Sequence, residues 1–173
     1  MKTTALALSI LLASVSLFAQ ENGSEEKFKY SNITEFGFIT VSPQSFAFDG
    51  TTAHGFSVNK SHHLGLGLGL GGNLDFGFYM PLFLNYRYYF HQEKKMSPHI
   101  NVSLGGLWVE EGGGLYSAVT VGFKAGAFSF ASGLSFMAVQ ERSYFYYDYN
   151  YRVRDGWYVY YPFGLVLKCG FAF

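Results

Sequence analysis

The sequence predicts an all-β protein, an eight-stranded antiparallel β-barrel of up-and-down topology that crosses a membrane. Three observations lead to this fold class. Segments that alternate between apolar and small or polar residues recur along the chain with turn-forming residues between them, as in barrels whose outer wall faces lipid. No apolar run after residue 19 is long enough for a membrane-spanning helix. Aromatic residues make up 20% of the chain and charged residues only 14%, whereas an ordinary soluble domain carries about a quarter charged residues.

The first 19 residues have the pattern of a secretory signal peptide. Lys2 precedes an apolar stretch that runs from Ala5 to Phe18, and a polar run begins at Gln20. The stretch is shorter than the ~20 apolar residues of a membrane-spanning helix, so we expect cleavage near Ala19, with an uncleaved anchor as the alternative. The predicted organisation is a signal peptide at 1–19, a short periplasmic segment at 20–29 and a barrel at 30–173.

Eight strands are predicted near residues 30–41, 46–58, 62–72, 81–91, 98–109, 115–125, 127–141 and 157–173. An even number of strands places both termini at one end of a barrel, which is the periplasmic end in a secreted bacterial barrel. Short periplasmic turns are expected at 59–61, at 92–97 and near Gly126. Longer connections at the cell exterior are expected near Gly50 and at 75–79, 110–114 and 142–156.

The clearest alternation lies at 64–71, where every Leu falls on one face and every Gly on the other, and at 163–173, where one face is wholly apolar. We predict that the apolar faces meet lipid and that the small or polar faces line the lumen. A glycine-rich linker is the alternative for the first stretch, and a soluble lipocalin-type barrel with apolar residues inside is the competing fold. His54 is an exception, because it shares a face with Phe56 and Val58. This suggests a bulge or a shifted register in the second strand.

Charge and cysteine content narrow the function. The net charge is zero, so nothing predicts electrostatic capture of nucleic acid. Cys169 is the single cysteine, which rules out an intramolecular disulfide. The glycine-rich stretch lacks the Lys-Ser/Thr ending of a phosphate-binding loop. We therefore predict no cofactor, no bound metal and no nucleic-acid partner.

Four charged residues fall on the predicted inward face: Glu35, Arg87, Lys124 and Lys168. One carboxylate among three cations in a narrow space is expected to attract at least Arg87 or Lys168, because buried charges persist when they are paired. Eight strands enclose an interior that side chains can fill, so we predict a plugged lumen. The alternative is a narrow conduit for small or apolar solutes.

Three histidines, His63, His91 and His99, also fall on the predicted inward face at the periplasmic ends of three successive strands. If they converge, they could hold a transition metal or form a protonation-sensitive gate. The interpretation that we prefer is a set of separate rim histidines that bond to water or backbone, since spacing across strands constrains ligand geometry poorly.

The longest predicted loop, 142–156, combines aromatic and basic residues. They are Tyr144, Phe145, Tyr146, Tyr147, Tyr149, Tyr151, Arg152 and Arg154. Tyr and Arg are enriched at binding hot spots, so this surface loop predicts contact with a surface ligand or a host partner. The alternative is an extended hairpin whose rings stack on one another and on lipopolysaccharide sugars.

Four stretches carry a family resemblance: NITEFG at 32–37, PLFLNYRYYF at 81–90, SPHINVSLG at 97–105 and VGFK at 121–124. They resemble the small outer-membrane β-barrel proteins of the OmpA/OmpX-like group. The resemblance implies a monomer in the outer membrane of a Gram-negative bacterium, in contact with membrane lipids and lipopolysaccharide, with a structural or adhesion-type role. It also implies that the barrel-assembly machinery recognises the C-terminal strand through Phe171 and Phe173.

Some members of that group modify lipid A with a His, a Ser and an acidic residue. By the predicted topology, His54 is the one histidine in the outer half of the barrel, with Asp49 and Thr51 or Thr52 near it. Nucleophile and base must come within hydrogen-bond reach for such chemistry. We predict that the protein is not an enzyme, with lipid A modification as the remaining alternative.

Overall fold

A computed structural model describes residues 28–42, 45–73, 77–91, 95–110, 112–143 and 156–173. The predicted signal peptide at 1–19, residues 20–27 of the segment after it, and the surface-loop residues from Tyr144 to Arg154 lie outside the described residues. No helix in the described ranges is long and apolar enough to span a membrane. The described residues form nine β-strands: β1 Phe28–Ser42, β2 Ser45–Val58, β3 His62–Asn73, β4 Gly77–Tyr89, β5 Met96–Val109, β6 Gly112–Ala125, β7 Phe128–Ser143, β8 Gly156–Tyr160 and β9 Phe163–Ala172.

The strands close into an antiparallel barrel. Strands β1 to β7 each pair with the next along the chain, and β9 pairs with both β7 and β1. β8 and β9 both pair with β7, and in the same register. They therefore act as one strand of the wall, which is interrupted at Tyr161 and Pro162. Proline has no N–H for the ladder, although the Pro162 carbonyl still accepts the N–H of Met137 at 2.9 Å. The prediction of an eight-stranded antiparallel barrel is confirmed.

Strand pairing is staggered by ten residues around the wall. A path that starts at Lys29 and steps from partner to partner returns to β1 at Ile39. It passes through Ser57, His63, Arg87, Asn101, Thr120, Gly133 and Val166. A stagger of this size tilts the strands by about 40° from the barrel axis. Because the stagger is an even number, inward-facing residues stay on the inner face all the way round.

One end of the barrel, which we call the turn end, carries short turns together with the start of β1 and the end of β9. Asn59 and Lys60 both have positive φ, 49° and 60°, in the three-residue turn between β2 and β3, the conformation of the two central residues of a type I′ turn. Gly126, with φ 62°, lies in the turn between β6 and β7. We call the opposite end the loop end. His54 lies four residues from the last residue of β2 and is nearer the turn end, so its predicted place in the outer half is wrong.

Three predicted connections fall wholly or partly within strands. Gly50 lies inside β2, where it pairs with Phe36 and Leu70. Gly112–Ala125 is a continuous strand, so residues 112–114 are not part of a loop. β4 begins at Gly77 rather than at Pro81, and the β3–β4 pairing has a gap around Pro81. The missing proline N–H explains that gap without ending the strand.

The outer face of the wall is apolar, whereas the inner face mixes small, polar, charged and aromatic side chains. Thirty-five large hydrophobic side chains among the described residues are exposed, including all four Leu of the β3 alternation. The inward glycines of β3 leave room for rings of β4. A Cβ at Gly67 would clash with the Phe83 ring, and one at Gly71 would clash with Tyr79. The inner face is thus filled partly by aromatic side chains that only glycine neighbours can accommodate.

Candidate functional site

The ion pair between Glu35 and Arg87 lies on the inner face in the part of the barrel nearer the turn end. Arg87 Nη2 donates to Glu35 Oε1 at 2.6 Å. Its Nη1 donates to Ser129 Oγ at 3.1 Å and its Nε donates to Asn101 Oδ1 at 3.2 Å. Ser129 in turn donates to Glu35 Oε1 at 3.1 Å. This turn-end cluster therefore joins β1, β4, β5 and β7 through buried, charge-assisted hydrogen bonds.

A second ion pair, Asp49 with Lys168, lies nearer the loop end. Lys168 Nζ is 3.6 Å from Asp49 Oδ2. The Tyr116 hydroxyl donates to the same carboxylate oxygen at 3.4 Å and accepts a bond from Lys168 Nζ at 3.3 Å. Asp49 Oδ1 has no hydrogen-bond partner among the described residues. This loop-end cluster joins β2, β6 and β9 through longer contacts.

The four charged residues predicted to face inward have different surroundings. Glu35, Arg87 and Lys168 are buried inside the barrel. Lys124 is only partly buried, with its Nζ 5.6 Å from the centre of the Tyr89 ring. The expectation of a single inward carboxylate is wrong, because Asp49 is also buried. In the β1–β2 pairing, Asp49 falls on the same inward face as Glu35. Its inward position is not predicted, because the glycine that follows it suggests a turn.

The three predicted mouth histidines do not form one cluster among the described residues, because His91 lies apart from the other two. His63 and His99 are buried on the inner face, and neither ring nitrogen of either residue has a hydrogen-bond partner in the described part of the chain. His91 is exposed beyond the end of β4 with φ 52°. The predicted inward position of His91 is therefore wrong, because the strand and its alternation end at Tyr89. The described residues contain no group of three or more His, Cys, Asp or Glu that could hold a metal ion.

The constellation considered for lipid A chemistry is divided by the barrel wall. Asp49 and Thr51 are buried on the inner face of β2, whereas Thr52 and His54 lie on its outer face. Neighbouring residues of a strand point to opposite sides. His54 accordingly contacts outward-facing side chains and not Asp49.

A group of polar side chains interrupts the apolar outer face on β1 and β2. We call it the polar patch, and its members are Tyr30, Asn32, Thr34, Thr52 and His54. Tyr30 Oη lies 2.6 Å from His54 Nδ1, Asn32 Nδ2 donates to Thr52 Oγ1 at 3.2 Å, and the two threonine hydroxyls are 3.0 Å apart. All five side chains are half-buried. The sequence points to His54 and Thr52 but not to their contacts with Tyr30, Asn32 and Thr34, because those contacts cross from β2 to β1.

The register of β1 and β2 runs without a shift from the Phe28–Val58 pair to the Thr40–Phe46 pair. The suggestion of a bulge or shifted register near His54 is therefore wrong. Regular alternation along β2 places His54 on the outer face, where its side chain bonds within the polar patch.

The last residues of the chain close the barrel and carry exposed rings. Asn32 and Phe173 exchange two backbone hydrogen bonds of 2.9 and 2.8 Å. The Phe171 and Phe173 rings stack with their centres 6.4 Å apart, and Phe171 meets Phe128 edge to face. Both rings predicted as an assembly signal therefore lie on the outer face at the turn end.

Comparison of the sequence with protein-family models finds no matching family, and comparison with curated proteins finds no relative.

Proposed function

We propose that the protein is an integral β-barrel of a Gram-negative outer membrane, similar to the OmpA/OmpX-like group, with a lumen filled by side chains and a structural or surface-interaction role. The observation that carries this proposal is the apolar outer face. Leu66 on β3, Leu104 on β5 and Leu165 on β9 are 63%, 59% and 63% exposed. They belong to three well-separated strands, so apolar side chains surround the wall.

The extent of this apolar surface favours lipid over water as the surrounding solvent. Burying one large apolar side chain is worth about 1.5–3 kcal/mol, and thirty-five such side chains are exposed among the described residues. Soluble monomers rarely expose a contiguous apolar patch of more than a few hundred Å². A bilayer removes the whole belt from water.

The closed pairing also suits a bilayer. In hydrocarbon every backbone N–H and C=O must find a partner within the protein, which restricts spanning sheets to closed barrels. The pairing of β9 with β1 closes this sheet through seven successive residue pairs, from Ile33–Ala172 to Ile39–Val166. A lipocalin-type barrel would carry its apolar side chains inside, opposite to this arrangement.

A filled lumen is supported by the size and burial of the inward side chains. Arg87, Tyr79, Tyr116 and Met137 are each less than 2% exposed. The turn-end cluster joins β1, β4, β5 and β7, and the loop-end cluster joins β2, β6 and β9, so both connect strands on opposite sides of the barrel. An eight-stranded barrel leaves an interior that side chains of this size fill.

The membrane location can be tested by extraction of cell envelopes. We expect the protein to stay in the membrane fraction through washes with high salt and alkaline carbonate and to be released only by detergent. Release by carbonate without detergent would overturn the membrane assignment.

The surface-interaction role rests on the aromatic and basic loop that sequence analysis predicts. Deletion of residues 145–152 should leave a folded barrel and lower the adhesion of cells to host surfaces or to one another, because Tyr and Arg are enriched at binding hot spots. Unchanged adhesion would exclude a binding role for the loop and leave the structural one.

A further inference from the structure

An apolar groove of about 810 Å³ crosses the outer face beside the polar patch, and its lining also includes the inward-facing residues Gly37, Asp49 and Lys168 at its floor. Ligand pockets in proteins span roughly 300–1,000 Å³ and are mostly apolar with a few orienting polar groups. The groove follows one row of cross-strand neighbours, in the order Phe130, Cys169, Phe36, Gly50 and Leu70. Large and small side chains alternate in this row. The groove therefore consists of a notch on each side of Phe36.

The polar patch continues directly from the groove. On β1 and β2 the next outward pair toward the turn end from Phe36 and Gly50 is Thr34 and Thr52. Their hydroxyls bond to each other and to the rest of the patch. The wall thus offers an apolar surface with a hydrogen-bonding surface at one side.

We propose that the groove and the polar patch form a binding site for one glycerophospholipid of the surrounding bilayer. This inference rests on the proposed function. An acyl chain fills the notches beside Phe36, and the ester and headgroup oxygens of the same lipid bond to the hydroxyl, amide and imidazole groups of the patch. The patch contains no Lys or Arg, so its hydrogen bonds to the lipid do not require an anionic headgroup.

The positions of the groove and the polar patch along the barrel axis indicate which leaflet of the bilayer supplies the lipid. The patch lies on the turn-end side of the groove, and under the proposed function the turn end is periplasmic. A lipid of the periplasmic leaflet has its headgroup toward that end and its chains toward the membrane centre. The polar and apolar parts of the site therefore match the polar and apolar parts of such a lipid in position.

A second copy of this chain fits the site less well. A twofold interface brings the same surface of each copy together, so groove would face groove and leave a void between two concave surfaces. Close packing is what gives such an interface its dispersion energy. A flexible acyl chain can follow both notches.

A larger side chain at Gly50 would fill one of the two notches from the outer face. A Cβ at Gly50 would have the Phe36 ring as its nearest neighbour, at 3.4 Å, an ordinary contact distance, so Gly50→Leu extends into the groove without touching the lumen. Gly106→Leu is the matched control. Gly106 also faces outward, and the nearest atom to an added Cβ there is the Gly114 carbonyl oxygen at 4.0 Å.

The parent protein and both variants are reconstituted into vesicles of phosphatidylethanolamine and phosphatidylglycerol that contain a trace of phosphatidylethanolamine with a photoreactive diazirine in one acyl chain. After irradiation, mass spectrometry maps the labelled peptides. We expect label concentrated around Phe36 and Cys169 relative to the wall around Leu84 and Leu104. It should fall about tenfold in Gly50→Leu, the change that ~1.4 kcal/mol of lost contact produces, and stay unchanged in Gly106→Leu.

The polar half of the site is tested in the same vesicles with Thr52→Val. Loss of a hydroxyl that the lipid engages should lower labelling in the groove, whereas Thr40→Val, on the outer face of β1 at the loop end, should not.

Even labelling around the wall, or equal labelling in Gly50→Leu and the parent, would overturn the lipid site. Crosslinks between two copies at Phe36 would also overturn it in favour of a dimer. A different result is expected if the protein is not an integral membrane barrel. Carbonate would then wash the parent protein and all variants off the vesicles.

Discussion

The two ion pairs inside the barrel differ in how completely their partners are satisfied. Arg87 contacts Glu35 at 2.6 Å and has two further side-chain acceptors, whereas Lys168 and Asp49 are 3.6 Å apart and one Asp49 oxygen has no hydrogen-bond partner among the described residues. Buried charges stabilise a fold only when geometry and hydrogen bonds offset their desolvation. The turn-end cluster should therefore hold the wall together, and the loop-end cluster should tolerate change.

Removal of Glu35 should have the largest effect. Glu35→Ala leaves Arg87 buried without its carboxylate, and breaking a buried pair from one side costs about 3–5 kcal/mol. We expect a corresponding loss in the free energy of unfolding, measured by urea titration in lipid vesicles. Glu110→Ala, at an exposed position outside the strands, is the control and should have little effect.

Removal of Asp49 should cost less. Lys168 keeps its bond to Tyr116 in Asp49→Ala, and only the 3.6 Å contact and one 3.4 Å hydrogen bond are lost. Because Lys168 stays buried without its carboxylate but the broken contact is longer, we expect a loss of about 3 kcal/mol in unfolding free energy, at the lower end of the range for a broken buried pair. If Asp49→Ala destabilises the barrel as much as Glu35→Ala does, the contrast between the clusters is wrong.

A methyl group at Gly67 should disturb the loop-end cluster selectively. It would push the Phe83 ring, which packs against Tyr116 with ring centres 5.4 Å apart. Gly67→Ala should cost about 1 kcal/mol through overpacking. Its effect should be non-additive with Asp49→Ala and additive with Glu35→Ala, as double-mutant cycles on unfolding free energies would show. Additivity in both cycles would mean that Phe83 does not couple to the loop-end cluster.

Lys124 should contribute least of the inward cations. It is half-buried with its Nζ 5.6 Å from the centre of the Tyr89 ring, and such cation–π contacts are worth about 0.5–1 kcal/mol at exposed sites. Lys124→Ala should therefore shift the urea midpoint only slightly. A shift as large as that of Asp49→Ala would show that a third buried charge belongs to the network.

Period-two alternation predicted the barrel and most of its inner and outer faces, because every strand must keep its side chains on fixed sides. The prediction failed where glycine and proline suggested breaks. Gly50 suggests a connection and Pro81 the first residue of a strand, yet both lie within longer strands, since neighbouring strands hold the backbone extended. Placing a turn at Gly50 hid the inward position of Asp49 and therefore the second ion pair.

The polar patch could not be predicted as a unit from the sequence. Tyr30 and His54 are 24 residues apart, and their contact depends on the β1–β2 register, which alternation along each strand does not fix. Likewise the alternation at 81–91 extended one step too far and placed His91 inside, although β4 ends at Tyr89.

Single-channel recording in planar bilayers tests the central claim, that side chains and their ion pairs fill the lumen. If the proposed lumen is filled, we expect the parent protein to insert and give no steady conductance steps, because Arg87 and Tyr116 are buried within the barrel and Arg87 pairs with Glu35. Steady steps in the parent protein that are unchanged in Glu35→Ala would contradict it and support a conduit.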